Sequence, residues 1–377
     1  MIMKKHKNIV MLIIIFAVII IFFGVRREIY QSHLIKIDNA NLVKNKKFNN
    51  YPEQTQNLVG FIKSNLLIKE GIYTNPFAKV NAHNTNLATG KEMLTESSGM
   101  WLQYLIEMDS KDSFQDFYKN TKATFWKNDQ FNYRYDPNNK KLSNVNATLD
   151  DLRIVRALIM YDQRYKTDFY EKDISEIYNH LKGTAIKDGT VLDYYDPVLK
   201  KGSANISLAY YDLDTLRGLE QSKPDQRKYE QQIKIVEEGY LSDDFPLYAS
   251  NFNVKSRIYS SNDLNTSEAL EVLLHLAQVG KLKNTSQKWL IEKVENKTLF
   301  NSYSTQGSPI NHDTSVANYA LAAQIFKLTN DKKHYQDAMT IIWQSQIKNG
   351  KYKGGLGDVK SRQFYSYNNL NALIAAE

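Results

Sequence analysis

Glu96 lies in Thr95-Glu96-Ser97-Ser98-Gly99-Met100-Trp101-Leu102, an acid in the opening turn of an otherwise small and apolar stretch. Fifty-five residues later (96 to 151), Ala147-Thr148-Leu149-Asp150-Asp151-Leu152 opens a second apolar stretch in the same way. Cleaving the bond between two sugars needs a protonated acid for the leaving oxygen and a second carboxylate for water or for the anomeric carbon. Two acids delivered by two helix mouths can supply such a pair. Glu96 suits the acid's part, because Met93, Leu94, Met100 and Trp101 would strip water from it. A neighbouring anion such as Asp151 would raise its pKa further. The helix amino end acts in the opposite sense, so a protonated Glu96 requires burial and like charge to prevail.

The elements that position these acids can be read from apolar spacing of three and four. It predicts twelve helices, near 53–68, 95–108, 111–126, 148–165, 171–182, 207–220, 225–239, 266–279, 285–295, 313–328, 332–346 and 364–376. Strand signals are thin, the best being Thr190-Val191-Leu192-Asp193-Tyr194-Tyr195. Every second helix is rich in Ala, Leu, Ser, Gly and Tyr, as in Ala317-Asn318-Tyr319-Ala320-Leu321-Ala322-Ala323, whereas the alternates carry Lys, Glu, Asp and Gln. The starts of the apolar set are 53, 59, 59, 47 and 51 residues apart (95, 148, 207, 266, 313, 364), a repeat of one buried and one wetted helix. Six such hairpins predict an all-α, (α/α)6 double-ring barrel rather than an open solenoid.

Parallel inner helices would bring their first turns to one end. Glu96, Asp150, Asp151, Tyr210-Tyr211-Asp212, Asp263, Glu268, His312-Asp313 and Tyr365-Ser366-Tyr367-Asn368 would then floor one cleft. Thr148/Asp151 and Asn265/Glu268 also have the spacing of a capping box, so each acid taken singly is explained as a cap. Their recurrence at the same end of successive inner helices is what points to a shared site.

Composition narrows the chemistry. The 377 residues contain no cysteine, which excludes disulfides, thiolate metal sites and a lipidated cysteine. The net charge of +8 is dispersed, without the basic, aromatic-interleaved face that nucleic acid requires. With seven histidines and no His-x-x-x-His pattern, neither a metal nor another cofactor is expected. Asn8 to Val25 is almost wholly apolar and follows three lysines. That length is close to the roughly 20 residues that span a hydrocarbon core, and the lysines favour an amino end inside. The expected organisation is a cytoplasmic tip and transmembrane anchor over 1–27, a stalk over 28–50 and the barrel over 51–377. This implies a single-pass membrane protein, monomeric, with its barrel outside the cytoplasm; cleavage of the N-terminal segment would make it secreted.

Aromatic residues with a polar handle make good sugar platforms, and the chain has 25 tyrosines and four tryptophans. Trp101, Trp126, Tyr133, Tyr135, Tyr210 and Asp212 fall on or beside the expected cleft, although core packing accounts for any single aromatic equally well.

At these residues the chain resembles glycoside hydrolase family 8, inverting enzymes of (α/α)6-barrel fold. Thr95-Glu96-Ser97-Ser98-Gly99-Met100 is similar to the family's Ser-Glu-Gly-x-Gly-Tyr, which implies that Glu96 is the general acid. Leu149-Asp150-Asp151-Leu152-Arg153-Ile154-Val155 resembles Asp-x-Asp-Leu-x-Ile-Ala and implies that Asp151 contacts the sugar at the cleavage point. Ser207-Leu208-Ala209-Tyr210-Tyr211-Asp212 is similar to the family's Pro-Ser-Tyr segment. The family's base motif, Tyr-Asp-Ala-x-Arg, departs here to Ser267-Glu268-Ala269-Leu270-Glu271; Glu268 is the favoured base and Asp263 the alternative. The resemblance implies a divergent, membrane-anchored hydrolase that cuts within an extracellular polysaccharide. The alternative is a catalytically degenerate glycan-binding protein assisting exopolysaccharide synthesis or export.

Overall fold

The computed structural model describes residues 34, 35, 40, 42, 43, 48, 51–78 and 88–377. Twelve α-helices lie among them: α1 (Pro52–Phe61), α2 (Thr95–Glu107), α3 (Lys111–Phe125), α4 (Thr148–Tyr165), α5 (Glu171–Thr184), α6 (Leu213–Leu219), α7 (Lys223–Glu238), α8 (Thr266–Gln278), α9 (Asn284–Glu295), α10 (Val316–Leu328), α11 (Lys332–Gln344) and α12 (Ser366–Ala376). Helices α2, α4, α6, α8, α10 and α12 each pack on the next, and α12 packs back on α2, which closes the ring. An open solenoid is thereby excluded.

The two rings follow from residue type. Helix α2 buries Ser97, Ser98, Gly99, Met100, Trp101 and Leu102 in succession, as a helix surrounded by protein on all sides must. Helix α3 buries Phe114, Phe117, Tyr118, Thr121 and Phe125, a single stripe, and leaves Lys111 and Lys119 in solvent. Gly99 lets α2 approach α4 closely: a Cβ there would stand 2.8 Å from the Cβ of Arg153 and 3.3 Å from its backbone.

The first turns of the inner helices are tied side to side. Thr95 donates to Asp150 (2.9 Å), Ser97 pairs with Ser366 (2.8 Å), Ser267 donates to Asn318 (2.7 Å), and Ser315 donates to Asn368 (3.0 Å). Neighbouring helix mouths therefore open at one end. Short antiparallel ladders, few of them anticipated from the sequence, wall that end. They include 126–127 with 130–131, 186–187 with 190–191, 195–196 with 201–202, and 205–207 with 251–253. Two of these turn on paired positive-φ residues, Asn128-Asp129 and Asp188-Gly189, the conformation that a two-residue hairpin needs. The third inner helix begins at Leu213 and not near 207, because Leu208–Tyr210 forms a 3-10 turn and Asp212 caps α6 from just outside it.

Described residues of the stretch read as a stalk lie against the barrel. The Ile35 N–H donates to Ser175 Oγ (2.9 Å), the Val43 N–H donates to Asp214 Oδ2 (2.9 Å), and Phe48 stands edge-on to Tyr335. Val43 and the chain end at Glu377 line a small cavity with Tyr104, Glu107 and Met160 of the inner helices.

The membrane-spanning part of the expected architecture requires correction. Residues 8–25 lie outside the described residues, and no helix among the described residues is long and apolar enough to cross a membrane. The described residues form the all-α barrel, and none of their helices spans a membrane. The single-pass location and the membrane as partner, which rested on that segment alone, are withdrawn with it.

Candidate functional site

The tied helix mouths surround an open cleft of about 680 Å³ lined by Glu96, Ser267, Asn301, Ser315, Tyr367 and Asn368, among others. Glu96 is the second residue of α2 and keeps 24% of its side chain exposed to the cleft. Behind it stands Arg153, one turn into α4, whose guanidinium meets three acids: Glu271 at 2.7 Å, Asp150 at 3.2 Å and Glu96 at 4.0 Å. The Tyr367 hydroxyl donates to the same Glu271 oxygen (3.0 Å). One cation thus serves three carboxylates in a nearly dry setting.

Burial pushes the Glu96 carboxyl up to about 8, Arg153 opposes, and the Asp150 and Glu271 charges add to the rise. Glu96 therefore holds its proton at neutral pH. Asp150 is raised by burial too, against Arg153, the Thr95 hydroxyl and the Glu96 N–H, so it is anchored on several sides. Its carboxylate accepts from the first turn of α2 and caps that helix from across the interface.

One turn deeper, a second polar layer repeats the scheme. Arg156 meets Asp214 at 2.8 Å and Asp212 at 3.9 Å, and His275 lies 3.7 Å from Glu271. Burial keeps His275 neutral-leaning, its pKa lowered. Buried pairs of this kind cost desolvation and fix register more than they stabilise.

The residues singled out from the sequence separate into those at the site and those elsewhere. Glu96 is in the cleft and Tyr210 adjoins it, within the fields of Asp150, Asp193, Arg153 and Glu96. Asp151 is turned away: it is buried, accepts from Asn146 (2.7 Å), and is raised well above the carboxylate range by burial. Thr148 leaves its hydroxyl unpaired, so the pair does not form a capping box, whereas Asn265 does cap Glu268 (3.3 Å). Glu268 is exposed on the rim, its pKa raised by surrounding protein and by Glu271. Asp263 is exposed in the loop ahead of α8.

Of the expected platforms, Trp101 is core, 2% exposed and packed on Tyr104. Trp126 is sandwiched by Lys122 and Phe131, and Tyr135 packs its edge against Phe125. Tyr133 is half-buried, and its carbonyl accepts the Thr95 N–H (3.0 Å). Asp212 is buried as the cap of α6; burial pushes it up, yet Arg156, His275 and Thr215 outweigh that and hold it low. His312 is exposed and stacks edge-on to Phe300.

Sequence reasoning passed over Arg153 and Glu271; of the two acids it named at the second helix mouth, Asp150 meets Arg153 and Asp151 accepts from Asn146. Arg153 is the one cation within the first two turns of any inner helix except α6, which is a usable signal. Among the described residues, the only cluster with metal-ligand spacing is Glu295, His334 and Asp337, on outer helices and away from the cleft.

No family model matches the chain. In sequence it is 23% identical over 313 residues to a Bacillus subtilis protein named "Putative lipoprotein YdaJ", covering 81% of this chain and 84% of that one. In structure it is similar to a novel alpha-amylase from Clostridium perfringens, with a TM-score of 0.79 and 28% identity over 86% of this chain and 97% of that one. It is also similar to endoglucanase Cel10 from Klebsiella pneumoniae, a family 8 glycosyl hydrolase, with a TM-score of 0.56 and 14% identity over 84% and 96% of the two chains. The last likeness reaches the fold alone. Membership of family 8, with the membrane-anchored branch expected from the motifs, is therefore corrected to an (α/α) toroid resembling glycosidases of that clan. At that level the likeness to the alpha-amylase supports a general glycosidase function.

Proposed function

We propose that the protein hydrolyses glycosidic bonds within a polysaccharide, with Glu96 as the proton donor. The observation that carries this reading is a mostly buried glutamic acid at the wall of a wide cleft, whose carboxyl burial pushes up toward the protonated form. A leaving sugar oxygen needs such a donor, and a pKa near the working pH gives the best compromise between holding and releasing the proton. The cleft is lined mainly by hydroxyls and neutral amides, among them Ser267, Asn301, Ser315 and Asn368, which suit sugar hydroxyls. Its open form fits a chain lying across it, and hence cutting within a polymer.

The structural neighbour named an alpha-amylase makes α-linked glucan the first polymer to try. Wild type and Glu96→Gln are compared for reducing-end release on a panel of α-glucan, β-glucan, mannan and amino-sugar polymers. The reading expects release by the wild type on one member and a loss of about 100-fold or more in the variant. A wild type that binds a polymer without cutting it, or a variant as active as wild type, refutes it.

A further inference from the structure

We propose that four loops leading into the inner helices form a docking surface for an anionic polysaccharide at the rim of the cleft. The four share one turn. Their ladders pair 134–136 with 141–142, 195–196 with 201–202, and 252–253 with 258–259, and a bridge joins Asp358 to Gln363. Asp136, Asp196, Asn253 or Asp358 opens the turn, and its Oδ1 accepts an N–H from within it: Asn138 at 2.9 Å, Val198 at 2.8 Å, Ser256 at 2.9 Å and Ser361 at 2.5 Å. Each tip then carries two exposed cations: Lys140 and Lys141, Lys200 and Lys201, Lys255 and Arg257, Lys360 and Arg362. None of these cations is in an ion pair among the described residues.

The fifth residue of each turn, Lys140, Lys200, Arg257 or Arg362, is left-handed, with φ between 52° and 59°. That conformation favours glycine, and a longer side chain holds it at a cost; the loop before α10 turns on Gly307 instead. Lys166 and Lys297 share it, but each follows a helix carboxyl end, where a cation meets the macrodipole. No helix end accounts for the four in the tips.

The fold gathers cations that lie far apart in the chain. The tips precede α4, α6, α8 and α12, so all four stand at the end where the helix mouths open. Asp358 and Gln363 line the cleft, and so does Leu94, the ladder partner of Arg134. The second and third hairpins are joined through Asn205, whose Oδ1 accepts from the Asn253 amide (2.7 Å). Exposed acids at this end gather about α8 and α10, as Asp243, Asp244, Asp263, Glu268 and Asp313, whereas the loop before α12 adds Lys348, Lys351 and Lys353. Cations therefore prevail from α12 round through α4 to α6. Such a rim concentrates a polyanion, and salt weakens its hold. The cleft inside it offers hydroxyls and amides, so the polyanion that fits is a polysaccharide bearing carboxylate or phosphate groups. Val198, Leu199, Ile258 and Val359 are exposed on the same tips, which makes an anionic lipid surface the occupant to test against. Docking needs no cleavage, so it can hold or fail apart from the hydrolytic reading.

Binding of the full chain to polygalacturonate, to uncharged dextran and to phosphatidylglycerol vesicles is measured by titration calorimetry at about 50 and about 300 mM salt. Wild type should bind polygalacturonate at the lower salt and lose it at the higher. A variant with glycine at the left-handed positions (Lys140→Gly, Lys200→Gly, Arg257→Gly, Arg362→Gly) should melt close to wild type, because the turns accept glycine. It should nevertheless bind polygalacturonate about tenfold or more weakly. Dextran should not distinguish that variant from wild type. A control (Lys119→Gln, Lys234→Gln, Lys288→Gln, Lys332→Gln) removes the same charge from exposed positions on α3, α7, α9 and α11 and should bind within about twofold of wild type. Polygalacturonate held as well by the glycine variant, lost as much by the control, or not bound by wild type overturns the assignment. Vesicles bound in place of polygalacturonate overturn the polysaccharide as occupant.

Discussion

Arg153→Gln is the perturbation with the clearest consequence. The guanidinium stands 4.0 Å from the Glu96 carboxyl. At an effective dielectric of about 20, a unit pair at that distance is worth about 4 kcal/mol, or about three pKa units. Glu96 keeps a quarter of its side chain exposed to the cleft, so solvent screening reduces the effect to about one to two units. Removing a cation favours the protonated acid, which places the new value above the present one of about 8. An enzyme that needs Glu96 protonated loses activity as pH rises through that value, and the alkaline limb of kcat/KM should move up in Arg153→Gln. Arg153→Lys keeps the charge and should leave the limb within about half a unit of wild type. The glutamine variant also leaves Asp150 and Glu271 without their counter-ion, at a cost of about 3–5 kcal/mol by denaturant unfolding, so the profile is measured well below its melting point. A limb that stays in place or moves down in Arg153→Gln would refute the account of what holds the Glu96 proton.

Other substitutions at the same helix mouths have equally definite outcomes. Glu271→Gln removes a negative neighbour of Glu96 and frees Arg153 for it, so the alkaline limb should fall below that of wild type in the same assay. Gly99→Ala puts a methyl 2.8 Å from the Arg153 Cβ and should cost about 1–3 kcal/mol by denaturant unfolding, with a weaker rate as α2 is pushed off α4. Trp101→Ala should destabilise the fold by about 3–5 kcal/mol without a selective loss of polymer affinity in a binding assay, because the ring lies in the core.

The double ring was legible because burial all round and burial on one stripe demand different compositions, and the two alternate along the chain. Helix mouths were legible too, except at α6, where Leu208–Tyr210 looks helical by spacing but tightens into a 3-10 turn. The site was read less fully. Adjacent helix residues point about 100° apart, so Asp150 and Asp151 cannot share a role. The Thr95 hydroxyl claims the first, and Asn146 holds the second out of sight. Looking for acids in first turns found Glu268 on the rim and missed Glu271, one turn deeper on the side that faces Arg153. Trp101 was offered as a sugar platform by residue type and by its nearness to the helix mouth, but an inner helix buries what it bears there.

The account turns on a carboxyl that keeps its proton at neutral pH, and a titration of wild type by carboxyl-carbon NMR, with Glu96→Gln to assign the resonance, tests it most directly. The side-chain carbon of Glu96 should titrate with a midpoint near 8, far above a free glutamate's 4.5. A midpoint in the ordinary range would leave Glu96 ionised at neutral pH, unable to donate, and would contradict the assignment.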